Sequence, residues 1–104
     1  MIRVAVIGST DFLTPDMTLV SKYSDYDILV VSYMSCTMLA NCALGTDEDF
    51  ARAVLNKRKI YIFFDGLQYK RISDKVVYQM YSVYRRTLQS FGVKFIKSVK
   101  EIKL

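Results

Sequence analysis

The chain predicts a small α/β domain, Rossmann-like, with two or three layers built on a mainly parallel sheet of about four strands. Two observations carry that reading. Apolar runs of strand length, such as Ile28–Val31, alternate with stretches that carry helix caps and one-sided apolar spacing. The connections between these runs are also long enough for the crossovers that parallel pairing requires. At 104 residues and 52% hydrophobic content, the chain reads as one domain, 1–104, with material for a real core.

The first strand is Ile2–Ile7, a β-branched run that stops at Gly8-Ser9-Thr10-Asp11. Thr14-Pro15-Asp16 then reads as an N-cap, a proline at the first helical position and an acid in the first turn. It predicts a helix of about two turns, with Met17, Val20 and Tyr23 on its apolar side. Ser24-Asp25-Tyr26-Asp27 breaks that helix. Ile28–Val31 is apolar on both faces, as a central strand covered on each side would be. Residues 32–44 fit either a short helix or an apolar loop over the sheet. Gly45-Thr46 interrupts them. Thr46 serves as N-cap, Asp47-Glu48-Asp49 suits the positive end of a helix, and Phe50, Ala51, Val54 and Leu55 bury one side. Residues 59–64 make a third strand. Ser73-Asp74 caps a long helix running to about Ser90, Gly92 stops it, and residues 93–96 make a fourth strand.

The resulting order is β-α-β-α-β-α-β. If each right-handed crossover moves to the next neighbouring strand, all helices land on one face and the other stays apolar and bare. The long helix also carries two apolar stripes, Val76, Met80, Val83 and Phe91 on one and Val77, Tyr81, Tyr84 and Leu88 beside it. Exposed apolar area of that kind finds a partner, so a homodimer or higher homo-oligomer is expected. A reversal of strand order, or residues 33–44 folding back, would cover the bare face instead.

Composition narrows the chemistry. There is no histidine, and Cys36 and Cys42 alone are too few soft ligands for a zinc site. A His-based triad or a Cys-His pair is excluded within one chain. The two cysteines read as buried thiols rather than a disulfide. No apolar run approaches the roughly 18 residues of a membrane span, and no signal-peptide pattern opens the chain. A soluble, cytoplasmic protein without a membrane partner is expected. Net charge is +5, but residues 1–51 set two basic residues against seven acids while residues 52–104 set thirteen against three. The basic half reads first as a solvated face and second as attraction for an anionic ligand. No Arg-rich helix or aromatic RNA-binding signature supports nucleic acid as a partner.

In open parallel sheets, ligands bind beyond the carboxyl ends of the strands. That rule selects residues 8–12, 32–36, 45–49 and 65–68. Gly8 permits close backbone approach, Ser9 and Thr10 offer hydroxyls, and the helix after Gly45-Thr46 points free N–H groups outward. Tyr33, Tyr69 and Phe12 offer rings for a base. Neither a dinucleotide fingerprint nor a P-loop is present. Asp11, Asp47, Glu48, Asp49 and Asp65 suit Mg²⁺ in kind, but the paired acids that receiver and phosphatase domains place after the first strand are missing, so no metal or cofactor is expected.

The pattern Gly45-Thr46-x-x-Asp49-x-Ala51-x-Ala53, followed by Lys57-Arg58-Lys59 and an apolar strand, resembles nucleoside 2-deoxyribosyltransferases and their nucleotide N-hydrolase relatives. The first strand ending in Gly8 and the Asp25-Tyr26-Asp27-Ile28 entry are similar too, so the resemblance spans residues 1–64. It implies cleavage of an N-glycosidic bond, with Asp49 in the position of the nucleophile and Asp11 or Asp65 supplying the second acid. Thr46-x-x-Asp49 also reads as a plain capping box. The leading expectation is therefore binding of a nucleotide-like small molecule, as a sensor or sequestering protein, by residues 8–11 and 45–49. The alternatives are an N-glycosidase or deoxyribosyl transferase, and an oligomeric interaction subunit without a ligand.

Overall fold

The structure is a computed structural model that describes residues 1–103. Strands β1 (Ile2–Ile7), β2 (Met17–Val20) and β3 (Ile28–Val31) come first, then helices α1 (Cys36–Leu44) and α2 (Glu48–Leu55). Strand β4 (Lys59–Phe63), helix α3 (Lys75–Ser90) and strand β5 (Lys94–Ile96) complete the order, with short 3₁₀ turns before α3 and after β5. Every pairing is parallel, and the five strands lie in the order β2-β1-β3-β4-β5. The α/β class and the parallel sheet are as predicted, with five strands rather than about four. Among the described residues, no helix is long and apolar enough to cross a membrane.

The additional strand is β2, where the sequence predicts a helix. Pro15 sits in a turn closed by the Met17 N–H donating to the Thr14 carbonyl at 3.0 Å, which is a proline's other favoured position. The short stretch that follows is not enough to nucleate a helix, and pairing with β1, from Ile2↔Met17 to Ala5↔Val20, takes it instead.

Residues 33–44 resolve in favour of a helix. Ser35 caps α1 by accepting the Met38 N–H at 3.1 Å, and Leu39 and Cys42 turn inward. Gly45 ends α1 at φ +79°, and the Thr46 N–H donates to the Asn41 carbonyl at 2.8 Å. Thr46 therefore belongs to the exit of α1 and is not the N-cap of α2. Asp47 takes that position, its carboxylate accepting the Phe50 N–H at 2.9 Å. Asp74 caps α3 as predicted, accepting the Val77 N–H at 2.9 Å.

The three helices share one face of the sheet. Ala5, Leu29, Val31, Ile60 and Ile62 pack there against Leu39 and Cys42 of α1, Phe50 and Ala53 of α2, and Leu88 of α3. The opposite face, Val4, Ile28, Val30, Tyr61 and Ile96, is buried as well, beneath Phe12 and Leu13 of the β1–β2 connection and Ile102 of the tail. The reversal of strand order explains this cover. The step from β1 to β2 runs opposite to the later ones, so a right-handed crossover carries it across the other face. The Tyr61 hydroxyl fastens the tail, donating to the Lys103 carbonyl at 2.6 Å and accepting the Lys103 N–H at 3.0 Å. The fold is thus two layers with a cover of irregular chain, and of the two arrangements the sequence allows it takes the one in which a reversal of strand order covers the second face.

Candidate functional site

The reversal between β1 and β3 opens the carboxyl edge of the sheet at that point. The two chain exits are tied together there. The Ser32 N–H donates to the Ile7 carbonyl at 2.9 Å, and the Ser32 hydroxyl donates to the Ser9 carbonyl at 2.8 Å. Gly8 holds φ +108°, and a Cβ there would lie 2.5 Å from Ser32 Oγ and 3.0 Å from the Tyr33 nitrogen. On the other side, Gly66 lies against the Ser32 carbonyl and the Tyr33 Cα so closely that no side chain fits. Residues 32 and 33 are therefore clamped between two glycines.

Outside this clamp is an open notch of about 170 Å³ lined by Ser9, Asp11, Phe12, Ser32 and Phe63. Phe12 and Phe63 form its apolar wall, with ring centroids 5.3 Å apart. The Ser9 hydroxyl accepts the Asp11 N–H at 3.3 Å, which curls the loop, and Asp11 is exposed. Tyr33 stands beside it, 53% exposed. The volume is below the roughly 300–1,000 Å³ of common small-molecule pockets. The notch has room for one ring-sized part of a larger molecule, and no cation lines it among the described residues.

The residues selected from the sequence divide into two groups. Gly8, Ser9, Thr10, Asp11, Tyr33 and Asp65 all follow the carboxyl ends of β1, β3 or β4. Gly45, Thr46 and Asp49 do not join them, because α1 carries the chain away from that edge before the turn is made. Gly45 instead lines an apolar cavity of about 300 Å³ with Cys42, Phe50, Val54 and Phe91, the last of which leads into β5 from its amino end. Asp49 is gripped by Lys22 at 2.7 Å and Arg52 at 3.4 Å, and its field reaches Tyr26, just before β3 begins. Asp65 has its own partner, Lys70, at 3.6 Å. Asp49 and Asp65 thus answer to separate neighbours, and the Asp11 carboxylate has no partner among the described residues.

The amino edge of the sheet holds an ionic network rather than a second site. Asp27 accepts the Arg3 backbone N–H at 2.8 Å and its guanidinium at 3.2 Å, while Asp25 receives Arg3 at 3.3 Å and Arg58 at 2.7 Å. The backbone bond from Arg3, then its side-chain bond, hold the Asp27 carboxyl below the usual aspartate range. The bond to Asp49 likewise raises the Lys22 ammonium. Cys36 and Cys42 are free thiols, and burial, helped by Asp47, pushes Cys42 up to about 12, so it offers no thiolate. Among the described residues, no three of His, Cys, Asp and Glu gather to hold a metal.

Two features at the carboxyl edge escape a reading of the sequence. Phe63 joins Phe12 across 51 residues, and Phe64, one position on, turns to the helix side and draws three cations around it. Strand alternation signals that Phe63 and Phe64 face opposite ways, but only the tertiary fold supplies their partners. Set beside known proteins, the chain matches no protein-family model, no curated protein and no solved structure.

Proposed function

We propose that the chain binds a nucleotide-class small molecule at the carboxyl edge of its sheet without turning it over, as a sensor or sequestering protein. The observation that carries this reading is the coincidence of the β1/β3 strand-order reversal with the notch of Ser9, Asp11, Phe12, Ser32 and Phe63. The apolar wall of Phe12 and Phe63 suits the face of a ring, and the unpartnered Asp11 carboxylate suits a sugar hydroxyl beside it. Phe12 and the exposed Tyr33 offer ring faces to a base that extends beyond the notch. Cleavage of an N-glycosidic bond by the retaining route needs two carboxylates about 5 Å apart. Asp49, paired with Lys22 and Arg52, does not join Asp11 and Asp65 at the carboxyl edge, which favours binding over turnover.

Thermal-shift and calorimetric titrations with a panel of nucleosides and nucleotides test this, with base release followed chromatographically. The expected result is a saturable shift that Asp11→Asn or Tyr33→Ala removes and Asp49→Asn preserves, with no base released. Release of base that Asp49→Asn abolishes would establish the glycosidase or transferase reading instead. No shift with any compound would remove the nucleotide reading altogether.

A second reading, an interaction subunit that forms a homo-oligomer, is favoured by one observation. Val76, Met80 and Val83 project from the outer side of α3 with at least 45% of their surface exposed. Unlike the covered sheet face, this stripe has nothing over it among the described residues.

A further inference from the structure

The cations around Phe64 are the most unusual charge arrangement in the molecule. Lys70 Nζ lies 3.8 Å from the ring centroid, Lys97 Nζ 5.7 Å and the Arg85 guanidinium carbon 5.9 Å. They come from three separate elements: the turn after β4, the residue after β5, and the middle of α3. A ring attracts cations, but three like charges around one ring also repel one another. Little nearby offsets them. Asp65 reaches only Lys70, at 3.6 Å, and is 81% exposed. Glu101 is held by the backbone N–H groups of Lys97 and Ser98, at 2.6 and 2.9 Å, and its charge reaches the Lys97 ammonium without forming an ion pair with it. Arg85 and Lys97 make no ion pair among the described residues, and Arg85 Nε is buried with no hydrogen-bond partner.

We propose that Lys70, Arg85 and Lys97 form an anion site for the phosphoryl group of a small ligand. The guanidinium supplies a planar fork of donors and the two ammonium groups supply movable ones, the combination that suits tetrahedral oxyanions. A doubly charged phosphate relieves the mutual repulsion and gives the orphaned Arg85 Nε side something to face. The site lies at the carboxyl ends of β4 and β5 on the helix side of the sheet, whereas the notch is on the other side, as the alternation of Phe63 and Phe64 requires. It therefore stands or falls separately from the notch.

Inorganic phosphate and pyrophosphate, titrated against sodium chloride at matched ionic strength, are the probes, read by melting temperature and by calorimetry. Saturable binding of pyrophosphate is expected, weakened at least about tenfold by Lys97→Gln or Arg85→Gln. Arg86→Gln, an equal loss of charge at an exposed neighbour, should change it less than about twofold. Because Lys97 is exposed, its variant keeps the test valid even if Arg85→Gln folds poorly. Removing one of three repelling charges should also leave the unliganded protein no less stable at low salt in Lys97→Gln. Absence of saturable binding, or equal loss in Arg86→Gln, overturns the site. So does tight binding of a short oligothymidylate that pyrophosphate fails to displace, which would assign the cluster to a nucleic-acid backbone.

Discussion

Gly8 and Gly66 are fixed by what lies against them, residues 32 and 33, and not by ligand contact. An alanine at position 8 must hold φ +108° and also push Ser32 Oγ aside, so Gly8→Ala should destabilise the fold by about 2–3 kcal/mol in urea unfolding. Gly66→Ala meets backbone rather than a movable side chain, and should cost at least as much. The turn between α1 and α2 gives a milder contrast. Asp47→Ala removes the bond to the Phe50 N–H and should cost about 1 kcal/mol. Thr46→Ala removes only the hydroxyl's weak bonds to Asn41, at 3.2 and 3.3 Å, and should cost less. The same urea midpoints rank all four.

At the scale of elements, α3 divides its faces sharply. Leu88 and Ser82 are buried, with Tyr78, Tyr81 and Tyr84 against the core, while Val76, Met80 and Val83 face out at i, i+4 and i+7. If that stripe joins two copies, the wild type should sediment above its 12.0 kDa monomer mass, and Met80→Glu with Val83→Glu should return it to monomer without changing its helix content. Sedimentation equilibrium and circular dichroism read the two effects. Val76, Met80 and Val83 facing out and Tyr81, Tyr84 and Leu88 facing in were legible in the sequence of α3, and so were its caps, because local spacing and capping decide them. Phe91, by contrast, meets Phe50, and Val77 is exposed, against their places in the two stripes. β1, β3 and β4 were equally plain as apolar runs. β2 was not, since Thr14-Pro15-Asp16 serves a turn as well as a helix start and only the neighbouring β1 decides between them. The candidate site was legible in part for a related reason. Residues 8–11 and 33 follow strand ends that can be read directly, but the position of Gly45-Thr46 depends on whether residues 33–44 form a helix long enough to leave the edge. Once α1 forms, a turn that looks like part of the binding edge lies elsewhere.

Across the whole molecule, acid stability should follow the carboxylates held by backbone N–H groups. Asp27 and Glu101 are both kept below their ordinary ranges, the first by Arg3 and the second by the amides of Lys97 and Ser98. The unfolded chain therefore binds their protons more readily, and their contribution is complete above the ordinary carboxylate range of about 4. It fades as pH falls through the lower folded values. The wild-type urea midpoint should drop below about pH 4, and Asp27→Asn should flatten that slope by lowering the midpoint between pH 5 and 7, where the carboxylate's contribution is complete, and changing it little in acid. The glycine clamp has a different consequence, in the time domain. The Ser32 N–H bonds to Ile7, the Met34 N–H to Gly66 and the Gln68 N–H to Met34, so the inter-strand ladder continues past the ends of the strands. In native-state hydrogen exchange, the Ser32 and Met34 amides should open only with global unfolding, while the Asp11 amide, bonded to a serine hydroxyl alone, exchanges through local fluctuation. One wall of the notch then persists for as long as the protein stays folded, and the other rearranges many times within that interval.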